Sequence, residues 1–141
     1  MVTAIKWLLD TNIISEAIKP IPDSNVINNL TLYSYQIAIA APVWHELNYG
    51  LLRLPDGKRK EMVKKYLENV VSTLTILPYD DVAAKCHAEL RSIAQAKGQI
   101  IPFVDGQIAA IAISHNLTLV TRNLQDYRMI EDLKISNWFS T

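Results

Sequence analysis

The sequence predicts an α/β fold of three layers, with a central parallel β-sheet between two layers of helices. Three observations carry that prediction. Short apolar runs, too brief to be helices, alternate along the chain with segments whose apolar residues recur at spacings of three and four. The short runs are apolar at nearly every position, as strands buried on both faces are. Single prolines and glycines mark the joints between segments. Strands and helices in strict alternation are the pattern of a parallel sheet whose crossovers cover both its faces. A length of 141 residues suits one domain with a sizeable core, expected over 1–141.

Each element has its own reason. "AIKWLL" (4–9) reads as a short buried strand that ends at Asp10, and "NIISEAIK" (12–19) as a short helix stopped by Pro20. "SNVINNLTLY" (24–33) is expected to be a helix capped by Ser24, and "QIAIAA" (36–41) a second buried strand. Pro42 suits a first helical turn, and Val43, Leu47, Gly50, Leu51 and Leu54 then form one stripe. Residues 57–71 form a polar helix with Met62, Tyr66, Leu67 and Val70 inward. "TLTIL" (73–77) is a third strand. Asp80 or Asp81 caps the next helix, whose inner face takes Val82, Ala83, Cys86, Leu90, Ile93 and Ala94 before Gly98 ends it. An apolar helix over 101–115, a strand at 117–121, a turn or short helix at 124–133 and a last strand at 134–138 complete the order.

Composition narrows the class. Half the residues are hydrophobic and 20% are charged, which excludes a disordered tail. Basic and acidic residues balance at 14 each, so net charge points to no polyanionic partner and only local patches can. Cys86 is the single cysteine, which rules out an internal disulfide and suits a reducing compartment. The apolar run after Met1 is too short to span a bilayer and lacks the features of a signal peptide. No membrane association and a cytoplasmic location are therefore expected.

In open parallel sheets, ligands sit outside the carboxyl ends of the strands. Asp10 falls at such an end, as does the Thr121-Arg122-Asn123 corner. Glu46 lies one turn into the helix after the second strand, Asp105 in the first turn of the helix before the fourth strand, and Asp126 just beyond that strand. Each has a plain structural reading: Asp10 as a helix cap, Glu46 as a solvated helix residue, Asp105 as a first-turn carboxylate on the helix dipole, Asp126 as a turn residue. If the strand ends converge, however, the four meet across one cleft, where carboxylates raise one another's pKa. A hard divalent cation such as Mg²⁺ removes that cost. It also lowers the pKa of its water and steadies phosphoryl charge, which suggests metal-assisted phosphodiester hydrolysis.

At these residues the sequence resembles the PIN-domain ribonucleases, specifically the VapC-type toxins of bacterial toxin–antitoxin pairs. The resemblance lies in "LLDTNIISE" (8–16), "PVWHELNYGL" (42–51), "IPFVDGQIAAIAISHNLTLVTRN" (101–123) and "QDY" (125–127). It implies a PIN-like parallel sheet between helices, an Mg²⁺ or Mn²⁺ pocket, cleavage of RNA, a neutralising antitoxin and a homodimer. It also implies roles. Asp10, Glu46, Asp105 and Asp126 are the acidic quartet: Asp10, Asp105 and Asp126 bind metal, and Glu46 binds metal or helps activate water. Thr11, Asn12, Thr121 and Asn123 would be hydrogen-bonding groups that orient them. Asn123 is the competing candidate for the fourth metal position.

His45, His87 and His115 share no ligand spacing and read as surface or partly buried. Trp7, Trp44 and Trp138 read as packing residues. Residues 53–65 hold six basic side chains against two acidic ones, a solvated helix face unless it borders the cleft. Arg122 and Arg128 are nearer the acidic residues and are the candidates for RNA-phosphate contact. Two rival functions remain. A haloacid-dehalogenase-type phosphatase wants a second acid two residues after the first, where this chain has Asn12. A non-catalytic binding module with a relic pocket would not need all four acids.

Overall fold

The computed structural model describes residues 4–140. Five parallel strands form one sheet in the order β3-β2-β1-β4-β5. They are β1 (Trp7–Leu9), β2 (Ile37–Ala40), β3 (Thr75–Leu77), β4 (Thr118–Val120) and β5 (Ile135–Ser136). The helices between them are α1 (Thr11–Glu16), α2 (Ser24–Leu32), α3 (Ala41–Leu52), α4 (Lys58–Asn69), α5 (Asp81–Ala96) and α6 (Phe103–Ser114). Single 3₁₀ turns occupy Val71–Thr73 and Leu124–Asp126.

Strand order decides where the crevice lies. From β1 the chain steps outward to β2 and β3 on one side, then returns to build β4 and β5 on the other. The connections leave in opposite directions at the β1/β4 boundary, which is the switch point where open α/β sheets bind ligands. Leu9 pairs with Val120 in register, so Asp10 and Thr121 follow side by side at that boundary. Asp10 N–H donates to the Val120 carbonyl at 2.9 Å, which fixes the strand ends against each other.

The apolar runs are buried for the reason inferred from sequence: Leu8, Leu9, Ile39, Leu119 and Val120 are fully enclosed between helical layers. Helix α6 is buried from Gly106 to Ala112 because it is packed against β4, α3 and α5. Trp7, Tyr33 and Trp138 pack as an aromatic cluster, with ring centroids 5.1 to 5.6 Å apart. Among the described residues no helix is long and apolar enough to cross a membrane.

The helices depart from expectation in one cap and in which side is covered. Helix α2 is capped by Asp23 rather than Ser24: one carboxylate oxygen accepts the N–H groups of Asn25 and Val26, which a serine hydroxyl in the first turn does not reach. Of the two candidates for α5, Asp80 is the cap, accepting from Ala83 N–H. The inner stripe of α5 is Ala83, His87, Leu90 and Ala94, while Val82 and Ile93 face solvent. His87, read as surface or partly buried, is 1% exposed. In α4 the buried residues are Val63 and Leu67, with Met62 and Val70 exposed. Both stripes turn by one position because the neighbouring element, and not the hydrophobicity of each residue, fixes which side is covered.

Candidate active site

Asp10 leaves the buried end of β1 and is 9% exposed. It caps α1, and it also faces the switch point. One carboxylate oxygen accepts Thr11 N–H at 2.8 Å, and the other accepts the Thr121 hydroxyl at 2.9 Å. Thr121 is completely buried; its N–H donates to the Ser136 carbonyl, and its hydroxyl oxygen accepts Asn123 N–H at 3.1 Å. Asn12 accepts Arg122 N–H through its side-chain carbonyl at 3.2 Å, clasping the segment after β1 to the segment after β4. Thus Thr11 reaches Asp10 through its backbone. Asn12 and Asn123 brace the surrounding loop, and Thr121 alone of the four presents a side chain to the carboxylate.

Asp105 stands in the first turn of α6 and is half-buried. Its carboxylate accepts the Tyr127 hydroxyl at 3.3 Å. Glu46, in the second turn of α3, and Asp126, in the 3₁₀ turn after β4, are exposed.

Charge links the four. Lost hydration pushes the Asp10 carboxyl above its ordinary range; the donors at Thr11 and Thr121 oppose this, and the negative charges of Asp126 and Glu46 add to it. Burial likewise raises the Asp105 carboxyl, against the Tyr127 hydrogen bond and with help from Asp10 and Asp126. Asp126 therefore acts on both buried carboxylates, and Glu46 on Asp10.

Tyr127 was missed from sequence. It is 1% exposed, and burial together with Asp10, Asp105 and Asp126 pushes its phenol far above the ordinary tyrosine range. Its signals in the sequence are its place in "QDY" (125–127), one of the stretches that carry the resemblance, and an aromatic residue directly after Asp126, a pattern that fits a packing residue equally well.

Among the described residues no three His, Cys, Asp or Glu side chains are already gathered as a metal cage. The donor set nevertheless suits a hydrated hard cation. It is all carboxylate oxygen, two of its members carry a cost of ionisation that a cation relieves, and Mg²⁺ keeps most of its waters and needs only one or two carboxylates. His87 does not belong to it, being enclosed between α5 and α6.

Arg122 lays its guanidinium over the Phe139 ring, 4.3 Å from the centroid. Arg122, Asn123, Gln125, Asp126 and Arg128 line an open cavity of about 360 Å³, which Asp126 alone of the four acids borders. A larger cavity, about 770 Å³, runs along the C-terminal half of α5 and residues 98–101 and contains none of the four acids. The basic stretch at 53–65 is partly committed locally. Arg59 donates to the Ile18 carbonyl, Lys60 pairs with Asp56 at 3.5 Å, and Arg53 lies over the Tyr49 ring.

Comparison with known proteins gives a consistent result. Residues 7–130 match the PIN domain. Ribonuclease VapC2 of Rickettsia felis is 40% identical over 137 residues, 94% of this chain and 97% of that protein. Toxin FitB of Neisseria gonorrhoeae is 35% identical over 135 residues, 93% of this chain and 97% of its own length. The crystal structure of VapBC2 from Rickettsia felis, bound to a DNA fragment from their promoter, superimposes with a TM-score of 0.81 at 37% identity. That match covers 95% of this chain and 99% of the other.

Proposed function

This chain belongs to the PIN-domain family, and on that premise we propose that it is a metal-dependent endoribonuclease, the toxin of a toxin–antitoxin pair. The observation that carries the chemistry is the pair of buried or half-buried carboxylates, Asp10 and Asp105, held at the β1/β4 switch point with raised pKa values and further acids within electrostatic reach. Asp10, Asp105 and Asp126 hold the cation, Mg²⁺ or Mn²⁺, and Glu46 shares in holding it or takes a proton from the attacking water. When bound, such a cation lowers the pKa of water and offsets charge gathering on the phosphoryl oxygens. Thr121 and Thr11 N–H keep both oxygens of Asp10 fixed, so that carboxylate needs no reorganisation. Arg122 and Arg128 sit on the rim, where RNA phosphates must pass an otherwise acidic surface. Attack by water rather than by the 2′-hydroxyl leaves 5′-phosphate and 3′-hydroxyl ends.

The partner is a protein antitoxin, as in the complexes to which the fold is similar. An apolar groove of about 500 Å³ between α1, α2 and α4, lined by Ile14, Ala17, Ile27, Leu30, Tyr66 and Leu74 among others, offers it a docking surface. A homodimer in the cytoplasm is the working assembly.

Asp105→Asn keeps the side-chain shape and removes one charge. It should abolish RNA cleavage in saturating Mg²⁺ while the circular dichroism spectrum stays unchanged, and expression of the variant should no longer arrest growth. Cleavage at the wild-type rate would refute the assignment.

A further inference from the structure

We propose that Tyr127 is a positioning residue: its hydroxyl steers the Asp105 carboxylate toward Asp10 and so sets how tightly the site holds its cation. This rests on the nuclease reading above and deepens it.

Four observations carry the inference. Tyr127 is fully buried, and the one side-chain partner of its hydroxyl among the described residues is Asp105, 22 positions earlier in the chain. A phenol keeps its proton near neutral pH, so toward a carboxylate it can only donate. Asp105 needs such a restraint more than Asp10 does. Asp10 has both oxygens held, by Thr11 N–H and the Thr121 hydroxyl, whereas Tyr127 supplies the only protein hydrogen bond to the Asp105 side chain among the described residues. Finally, the route to Tyr127 is rigid. Its backbone N–H closes the turn onto the Leu124 carbonyl, its carbonyl accepts Ile130 N–H, and the turn begins at Asn123, whose N–H is bound to Thr121. Hydrogen bonds thus tie Asp10 to Thr121 and Thr121 to Asn123, the turn 123–127 carries the chain on to Tyr127, and the Tyr127 hydroxyl reaches Asp105. At 3.3 Å the last contact is long for an O–H···O bond.

A merely structural tyrosine would be replaceable by phenylalanine, which fills the same enclosed space. The hydroxyl matters only if it orients Asp105. Groups behind metal ligands typically contribute about 10- to 100-fold in metal affinity. The test is a Mn²⁺ titration followed by electron paramagnetic resonance on the full chain, with matched Na⁺ as control. It compares wild type, Tyr127→Phe, Asp105→Asn and the double variant, with melting temperature in chelator recorded for each. Tyr127→Phe should keep a melting temperature close to wild type in chelator and weaken Mn²⁺ binding about tenfold or more. In the Asp105→Asn background the same change should weaken binding no further, because the group it steers has lost its charge. A Mn²⁺ midpoint in Tyr127→Phe equal to wild type overturns the inference and leaves the nuclease reading standing. So does an equal loss in both backgrounds, which would mark a general packing effect. Absence of Mn²⁺ binding by the wild type would overturn the metal-dependent reading itself, and this inference with it.

Discussion

Gly106 lies directly after Asp105, where α6 packs against His87 of α5. A Cβ placed on it would clash with His87 Nε2 and come 2.7 Å from His87 Cδ2. The ring has little room to retreat. It is enclosed, its Nδ1 shares a 2.8 Å hydrogen bond with the Tyr79 hydroxyl, and Phe103 packs edge-on with centroids 4.9 Å apart. Gly106→Ala must therefore part the two helices or turn the ring away from Tyr79. Overpacking costs about 1–3 kcal/mol, and losing the Tyr79 contact about 1 kcal/mol more. Against this, alanine in a helix interior is favoured over glycine by about 1 kcal/mol. The net expectation is a loss of about 1–3 kcal/mol, or a fall in melting temperature of roughly 2–12 °C for a chain of this size. Urea unfolding in metal-free buffer measures it. The sign should reverse in a His87→Ala background, where the ring is gone and only the helix preference of about 1 kcal/mol remains. A Gly106→Ala protein more stable than wild type by that amount would falsify the argument, since it would mean α5 and α6 do not meet tightly there.

Two further outcomes follow from the acidic residues. Asp10 has a folded-state pKa above its unfolded one, so the folded state binds the extra proton and stability falls as pH rises from the ordinary carboxylate range through the raised value. The stability of Asp10→Asn relative to wild type in chelator should therefore improve as pH rises from the ordinary carboxylate range to 7 and fall back in saturating Mg²⁺. The pH trend is the readout because the Asn amide nitrogen cannot accept one of the two donors that hold Asp10, and a relative stability that does not change with pH would contradict the assigned cost of burial. Asp126 acts electrostatically on Asp10, Asp105 and Tyr127, whereas Asn123 reaches the site through its backbone N–H. Asp126→Asn should accordingly weaken Mg²⁺ binding and cleavage more than Asn123→Ala does, and the opposite ranking in parallel titrations would give the fourth position to Asn123.

By itself the sequence determined the order of elements and the ends at which the acids stand. The short apolar run "AIKWLL" (4–9) reads as a buried strand, and the residue after it, Asp10, then emerges at the strand's rim. Asp105 in a first turn and Asp126 in a turn after β4 are equally local facts, set by periodicity and punctuation within a few residues. Tertiary structure decided what those ends face. The Thr121–Asp10 hydrogen bond spans 111 positions, Asn12–Arg122 spans 110 and Tyr127–Asp105 spans 22, and no local pattern encodes a partner at such distances. The same limit explains His87. A hydrophobicity stripe along α5 assigns Val82 and Ile93 inward and leaves a histidine to solvent. The fold instead buries His87, because Gly106 opens a space of its shape on α6 and Tyr79 supplies a polar partner. Burial is a property of two surfaces, and a chain read one segment at a time shows only one of them.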